Sequence, residues 1–176
     1  RIGKSLARKA KSINMNVVFY DPLVKSGYEK ILDIKRVYKL NEIAKYSDAV
    51  SLHVPYNKRN HNFVDDNFFK NVKKKIIFIN VSRGGLVSSE ILAKYYGKKI
   101  SGIGLDVFEN EPPEKTDKII NLWKKKENDG RIVITPHSAF YSISAFTELR
   151  TKATKNIREF LINGKLINCL NVNKDL

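Results

Sequence analysis

Among its 176 residues the chain has one cysteine, one methionine and one tryptophan. A lone cysteine, Cys169, excludes an internal disulfide and fits a reducing compartment, so a cytoplasmic location is expected. No apolar run is long enough to span a bilayer, so no membrane partner is expected. Acidic side chains are scarce: 18 Asp and Glu face 33 Lys and Arg, giving a formal net charge of +15. Such an excess raises nucleic acid or an anionic surface as partners. The charge is diffuse, however. The only tight basic runs, 73–75 and 124–126, read as solvated helix ends or loops. Without a basic helix or a stacked-aromatic RNA motif, no specific nucleic-acid partner is expected. No internal repeat, low-complexity tract or linker interrupts the chain, and no metal site is expected. The first residue is Arg1, already inside a helical pattern, so the chain is expected to be a fragment of a longer protein.

What is present is an alternation of helical and strand-like stretches. Ile2, Leu6, Ala7, Ala10 and Ile13 recur at helical spacing over residues 1–13. A strand over 16–20 closes at Asp21-Pro22. Residues 28–32 read as a short helix and 35–38 as a short strand. Asn41 is placed to cap a helix through Tyr46. Strand 49–54 stops at Pro55, and Asp65 caps a helix over 67–72. The apolar run 76–79 reads as a buried strand. Ser88 or Ser89 caps the helix 90–96, which Gly97 ends. Strand 101–105, helix 117–126 and strand 131–134 follow. A long helix over 143–162 is closed by Gly164. Near-continuously apolar strands alternating with helices predict an α/β fold, with a parallel sheet covered on both faces.

In such a sheet, ligands bind beyond the carboxyl ends of the strands. Three of these ends carry suggestive polar groups: Arg83 in Ser82-Arg83-Gly84-Gly85, the acids of 106–111, and His137. Reducing a 2-keto acid needs a hydride donor, a proton donor near neutral pH and a cation for the carboxylate. Histidine titrates in that range, and a carboxylate beside a histidine favours its charged form and fixes its tautomer. Arginine grips a carboxylate by paired hydrogen bonds. His137 is therefore the candidate acid/base, with an acid partner and Arg83 as anchor; spacing alone leaves Glu111 and Glu109 both open. Asp21, at the end of the second strand of a dinucleotide-binding unit, is placed to take the adenosine ribose hydroxyls, which favours NAD over NADP. Gly3 reads as the last glycine of the phosphate-binding fingerprint. His53 and His61 read as strand-end and loop residues.

The stretches NVSRGGLV, GLDVFENEPP and ITPHSAFYS resemble, in order, three motifs of the D-isomer-specific 2-hydroxyacid dehydrogenases. The resemblance implies a Rossmann-like doubly wound parallel sheet lacking its first strand, with a C-terminal helix returning to a substrate domain outside the chain. Residues 1–142 would form the NAD-binding domain and 143–176 the returning helix and tail. It also implies a catalytic set of Arg83, Glu111 and His137, which decides between the two glutamates. Carried over likewise, Arg1, Ile2 and Gly3 lie at the pyrophosphate and Asp21 at the ribose. Val54, Pro55 and Asn60 flank the adenosine, while Val81, Ser82, Arg83, Asp106, His137 and Ala139 lie toward the nicotinamide. NAD is the expected cofactor, a small 2-keto or 2-hydroxy acid the substrate, and a homodimer the assembly. VVFYDP, SGYEKILDIKRV and NKRNHNFV look most like the C-terminal binding protein branch, whose animal members are NAD(H)-binding corepressors. Phe140 departs from that branch's usual tryptophan, and the segment 95–98 looks one residue shorter.

Overall fold

Apolar strands joined by helices build two parallel sheets in the computed structural model, which describes residues 2–169. Helix α1 spans Ile2–Ser12 and leads to strand β1, Val18–Phe19. After helix α2, Tyr28–Leu32, strand β2, Lys35–Arg36, pairs in parallel with β1. Both strands are shorter than their apolar patterns predict, because only Val18 with Lys35 and Phe19 with Arg36 are in register.

Helix α3 runs Leu40–Tyr46. Asn41 is not its cap: it lies inside the first turn. Glu42 reaches back instead, and its Oε2 accepts from the backbone N–H groups of Tyr38 and Lys39 at 3.1 and 3.3 Å. Strand β3, Ala49–Leu52, stops short of residue 54 because its neighbour β4, Ile76–Asn80, ends opposite Leu52. Between them, helix α4, Asp66–Lys70, is capped by Asp65, whose carboxylate accepts from Phe68 N–H at 3.0 Å.

Ser88 is the residue that caps helix α5, Ser89–Tyr95, accepting from Ile91 N–H at 3.2 Å. Strand β5, Ile100–Leu105, follows. Helix α6 covers only Lys118–Trp123 of the expected 117–126. Asp117 caps its start, and the buried Asn128 takes over its end, donating to Leu122 O at 2.8 Å and accepting from the Tyr96 hydroxyl at 2.9 Å. Strand β6, Ile132–Ile134, completes a four-stranded parallel sheet in the order β3-β4-β5-β6. Every connection is a crossover through a helix, as parallel pairing requires.

Ile76 and Phe78 point into the core, where Phe69 lies 5.6 Å from Phe78 and 5.1 Å from Tyr95 between ring centroids. Burying each such aromatic stabilises the fold by about 1.5–3 kcal/mol. The other face is less fully covered: Ile79 on β4 is half-buried, while Ile77 on β4 is 48% exposed and Val133 on β6 is 55% exposed.

The chain divides into two compact units, Arg1–His137 and Ser138–Leu176. The second carries helix α7, Ile143–Asn163, capped by Ser142 and ended at Gly164 with φ 62°. Its apolar residues Leu149, Ile157 and Leu161 are exposed.

Candidate active site

The site grows from the end of β4. Asn80 is buried, and its side chain ties down the next turn: Oδ1 accepts from Ser82 N–H at 3.0 Å and Nδ2 donates to Arg83 O at 2.9 Å. Ser82 Oγ donates to Leu52 O at 2.6 Å, locking the turn to the end of β3. Arg83 is thereby presented on a braced backbone, and its Nη1 donates to Ser82 O at 2.7 Å.

The glycines after Arg83 have a packing reason. A Cβ at Gly84 would fall 1.9 Å from the carbonyl carbon and oxygen of Phe108, and one at Gly85 would fall 2.6 Å from the Tyr56 ring. Gly84 lets the loop after β5 lie directly against the Arg83 turn.

That loop carries the acids. Asp106 is buried at the end of β5 and accepts from Thr135 Oγ1 at 2.5 Å, which joins β5 to the segment after β6. Glu109 and Glu111, which spacing could not separate, do different jobs. Glu109 accepts from Ser89 N–H at 3.1 Å, at the start of α5. Glu111 accepts from Phe108 N–H through Oε1 at 3.0 Å and meets His137 Nδ1 through Oε2 at 2.6 Å. Partial burial opposes ionisation of Glu111. The hydrogen bonds from His137 and Phe108, with the nearby charge of Arg83, outweigh it and hold the carboxyl below its ordinary range. Since an ionised carboxylate only accepts, His137 donates Nδ1–H to it. His137 has φ 52°, a left-handed backbone that re-aims its side chain after the strand ends.

Arg83, Glu111 and His137 share a cleft of about 530 Å³ with Tyr56, His61 and Asn110. That size suits a small ligand. Sequence reasoning left His61 as a loop residue and did not single out Tyr56, Asn80 or Asn110. Nothing in their spacing marks them, because the contacts that place them cross between loops.

The remaining cofactor candidates lie along the other strand ends. A Cβ at Gly3 would meet His53 Cβ at 3.3 Å, so the start of α1 sits against the end of β3. The first turn of α1 has no acidic residue, leaving a helix N-terminus able to face a pyrophosphate. Burial pushes the His53 imidazole below its usual range. Asp21 follows β1, its Oδ1 accepting from Leu23 N–H at 2.9 Å, and Arg36 donates to its carbonyl at 2.9 Å. Asn60 Nδ2 donates to Pro55 O at 2.6 Å, fixing the loop after Val54. Val81 adjoins the Arg83 turn. Ala139 falls in the second unit, and Arg1 lies outside the described residues. These placements fit NAD. Among the described residues no cluster of His, Cys, Asp or Glu is placed to hold a metal, and no helix is long and apolar enough to cross a membrane.

Helices alternating with parallel strands, and a helix start against a strand end, define a dinucleotide-binding domain. Its kind follows from sequence comparison: residues 1–139 match the D-isomer specific 2-hydroxyacid dehydrogenase, NAD binding domain, and the chain belongs to that family. A glyoxylate reductase of Korarchaeum cryptofilum is 35% identical over 94% of this chain and 46% of its own length. C-terminal-binding protein 1 of Caenorhabditis elegans is 28% identical over 97% of this chain and 23% of its own. The crystal structure of D-lactate dehydrogenase from Aquifex aeolicus, complexed with NAD and lactic acid, superposes with a TM-score of 0.78 at 32% identity, over 94% of this chain and 54% of that one. The chain thus spans about half the length, or less, of these relatives.

Proposed function

We propose that the full-length protein is an NAD-dependent oxidoreductase that interconverts a small 2-keto acid and its D-2-hydroxy acid. The His137–Glu111 hydrogen bond, in one cleft with Arg83, carries this reading. In balance, a 2-keto acid, NADH and a proton give the 2-hydroxy acid and NAD⁺. When bound, NADH supplies the hydride to C2. Arg83 holds the substrate carboxylate by charge-assisted hydrogen bonds. Because Nδ1 is committed to Glu111, His137 delivers the proton to the keto oxygen from Nε2. Glu111 keeps the ring oriented and offsets its positive charge. Gly3 and the start of α1 would face the pyrophosphate, Asp21 the ribose, and Val81, Ser82 and Asp106 the nicotinamide end.

The reading extends to the assembly. Helix α7 would cover its exposed apolar face against a substrate domain, in a cytoplasmic homodimer; gel filtration of the full-length protein checks the dimer. The test of function is turnover of NADH by the full-length protein with glyoxylate, pyruvate and hydroxypyruvate. No turnover with any of them sinks the proposal. His137→Ala should abolish turnover while NADH still binds; loss of NADH binding would make His137 structural.

The resemblance to C-terminal-binding protein 1 supports a second reading, an NADH-sensing binding protein. It predicts NADH-promoted dimerisation and peptide capture in a protein without turnover.

A further inference from the structure

Positive charge that is scattered along the sequence is partly gathered by the fold. Strands β3 to β6 are parallel, so their amino ends share one edge, opposite the edge that carries Arg83 and His137. The lysines of 73–75 run straight into β4, Lys98 and Lys99 into β5, and Arg131 into β6. The lysines of 124–126 follow helix α6 on the way to β6. Nine cations in these segments stand beside three acids, Asp48, Glu127 and Asp129. Of the nine, only Lys74 has an ion-pair partner among the described residues, Asp48 at 2.5 Å. Lys99 is half-buried and donates to Val72 O at 2.8 Å, while the others are exposed. A helix C-terminus favours a nearby cation, but that accounts for single lysines and not for runs that continue to the strand starts. Two aromatic rings stand at the same edge. Trp123, the last residue of α6, is 46% exposed and adjoins the 124–126 run. Tyr46, the last residue of α3, is exposed before β3, with Lys35 Nζ 4.8 Å from its ring centre.

We infer that this edge is a docking surface for single-stranded nucleic acid, held through its phosphates without regard to base sequence. No sequence-specific partner is implied. Exposed lysines without acid partners bind a polyanion by releasing its counterions. Four adjacent strands about 4.8 Å apart make the edge about 14 Å across, so the cations are spread along a line rather than converging on one point. A line of cations matches successive phosphates and not one small anion. Trp123 adds what a bare charged surface lacks, a flat ring on which an unpaired base can stack. A duplex keeps its bases stacked on one another and makes no use of that ring. The turn that carries the ring is already braced, because the buried Asn128 donates to Leu122 O and accepts from the Tyr96 hydroxyl. Docking here lies about 16 Å, the length of β4, from the Arg83 turn, and stands whether or not the cleft turns over a keto acid. Anionic lipid would attract the same lysines, and a vesicle measurement separates the two.

The test is fluorescence anisotropy of a labelled oligouridylate of about 15 nucleotides, titrated with the full-length protein. The expected Kd is about 1–100 µM at 100 mM salt, and log K should fall with log salt at a slope of about −2 or steeper. Lys124→Glu with Lys126→Glu should weaken binding about tenfold or more and flatten the salt slope. Lys25→Glu with Lys30→Glu, an equal charge change at exposed positions outside this edge, should weaken it about threefold at most. Trp123→Ala should weaken it about fivefold or more. Trp123 is the chain's one tryptophan, and the oligonucleotide should quench its emission, a signal that Trp123→Phe removes. NADH binding and Tm establish that each variant is folded. Absence of binding, or binding that the paired charge reversal at 124 and 126 leaves unchanged, overturns the inference. So does binding to phosphatidylserine vesicles with none to the oligonucleotide. Binding with no quenching of Trp123 and no effect of Trp123→Ala removes the stacking on which the choice of single strands rests, and overturns it likewise.

Discussion

Gly84 and Gly85 look equivalent in sequence but should differ sharply when replaced by alanine. Neither has a positive φ, so alanine is compatible with both backbones. Removing glycine from such a position would by itself stabilise the fold by about 0.4–1 kcal/mol through the unfolded chain. Contacts decide the outcome. At Gly84 the added methyl would lie 1.9 Å from backbone atoms of Phe108, which cannot rotate away. Either the Arg83 turn or the loop carrying Glu111 must shift, an overpacking cost of about 2–3 kcal/mol net. At Gly85 the obstruction is the far edge of the Tyr56 ring at 2.6 Å, and that ring is 43% exposed and able to swing outward. The net effect there should stay within about 1 kcal/mol. At roughly 2–4 °C per kcal/mol, Gly84→Ala should lower the Tm of the full-length protein by about 5–10 °C and Gly85→Ala by at most about 3 °C. Thermal unfolding followed by fluorescence, with and without NADH, measures both. Gly84→Ala should also cut keto-acid turnover, because Arg83 and Glu111 are displaced relative to one another. A Gly84→Ala protein melting within a degree of wild type, or a Gly85→Ala protein that is the less stable of the two, would refute the packing argument.

Further expectations concern the polar framework. Glu111→Gln removes the ionised acceptor of His137 Nδ1–H and should lower kcat about 10–30-fold, a loss of about 1.5–2 kcal/mol that allows for the solvent reaching both side chains. The carboxyl of Glu111 is depressed below its ordinary value of 4.5 in the folded protein, so its stabilising contribution is complete above about pH 4.5 and is lost as pH falls through the lowered value. Wild type and Glu111→Gln should therefore differ in urea stability at pH 7 and converge in acid; a difference that grows in acid would contradict this. Asn80→Ala leaves Ser82 N–H and Arg83 O without their buried partner and should cost about 1–3 kcal/mol of stability. It should also raise KM for the keto acid more than it lowers kcat, because Arg83 loses its brace; steady-state kinetics on folded enzyme checks the split.

How much was legible in the sequence varies with the range of the physics involved. Helix spacing over 1–13, the apolar run 76–79 and the caps at Asp65 and Ser88 depend on neighbours a few residues away, so the element order and the parallel α/β class follow from the sequence alone. So do the residue types at three strand ends, since a parallel sheet carries those ends to one edge. Errors occurred where distant groups intervene. Glu42 rather than Asn41 serves α3, and Asn128 shortens α6 through Leu122 and Tyr96. The motif resemblance already pointed to Glu111 as the partner of His137, but the tertiary structure alone gave Glu109 its job at the start of α5, because spacing sets how far along the loop each acid lies but not which donor it meets. It alone gave Gly84 its reason, since the backbone of Phe108 reaches it from another strand end. And it alone placed Tyr56 and His61 on the cleft, through a loop whose position depends on hydrogen bonds to the turn at Gly85 and Leu86.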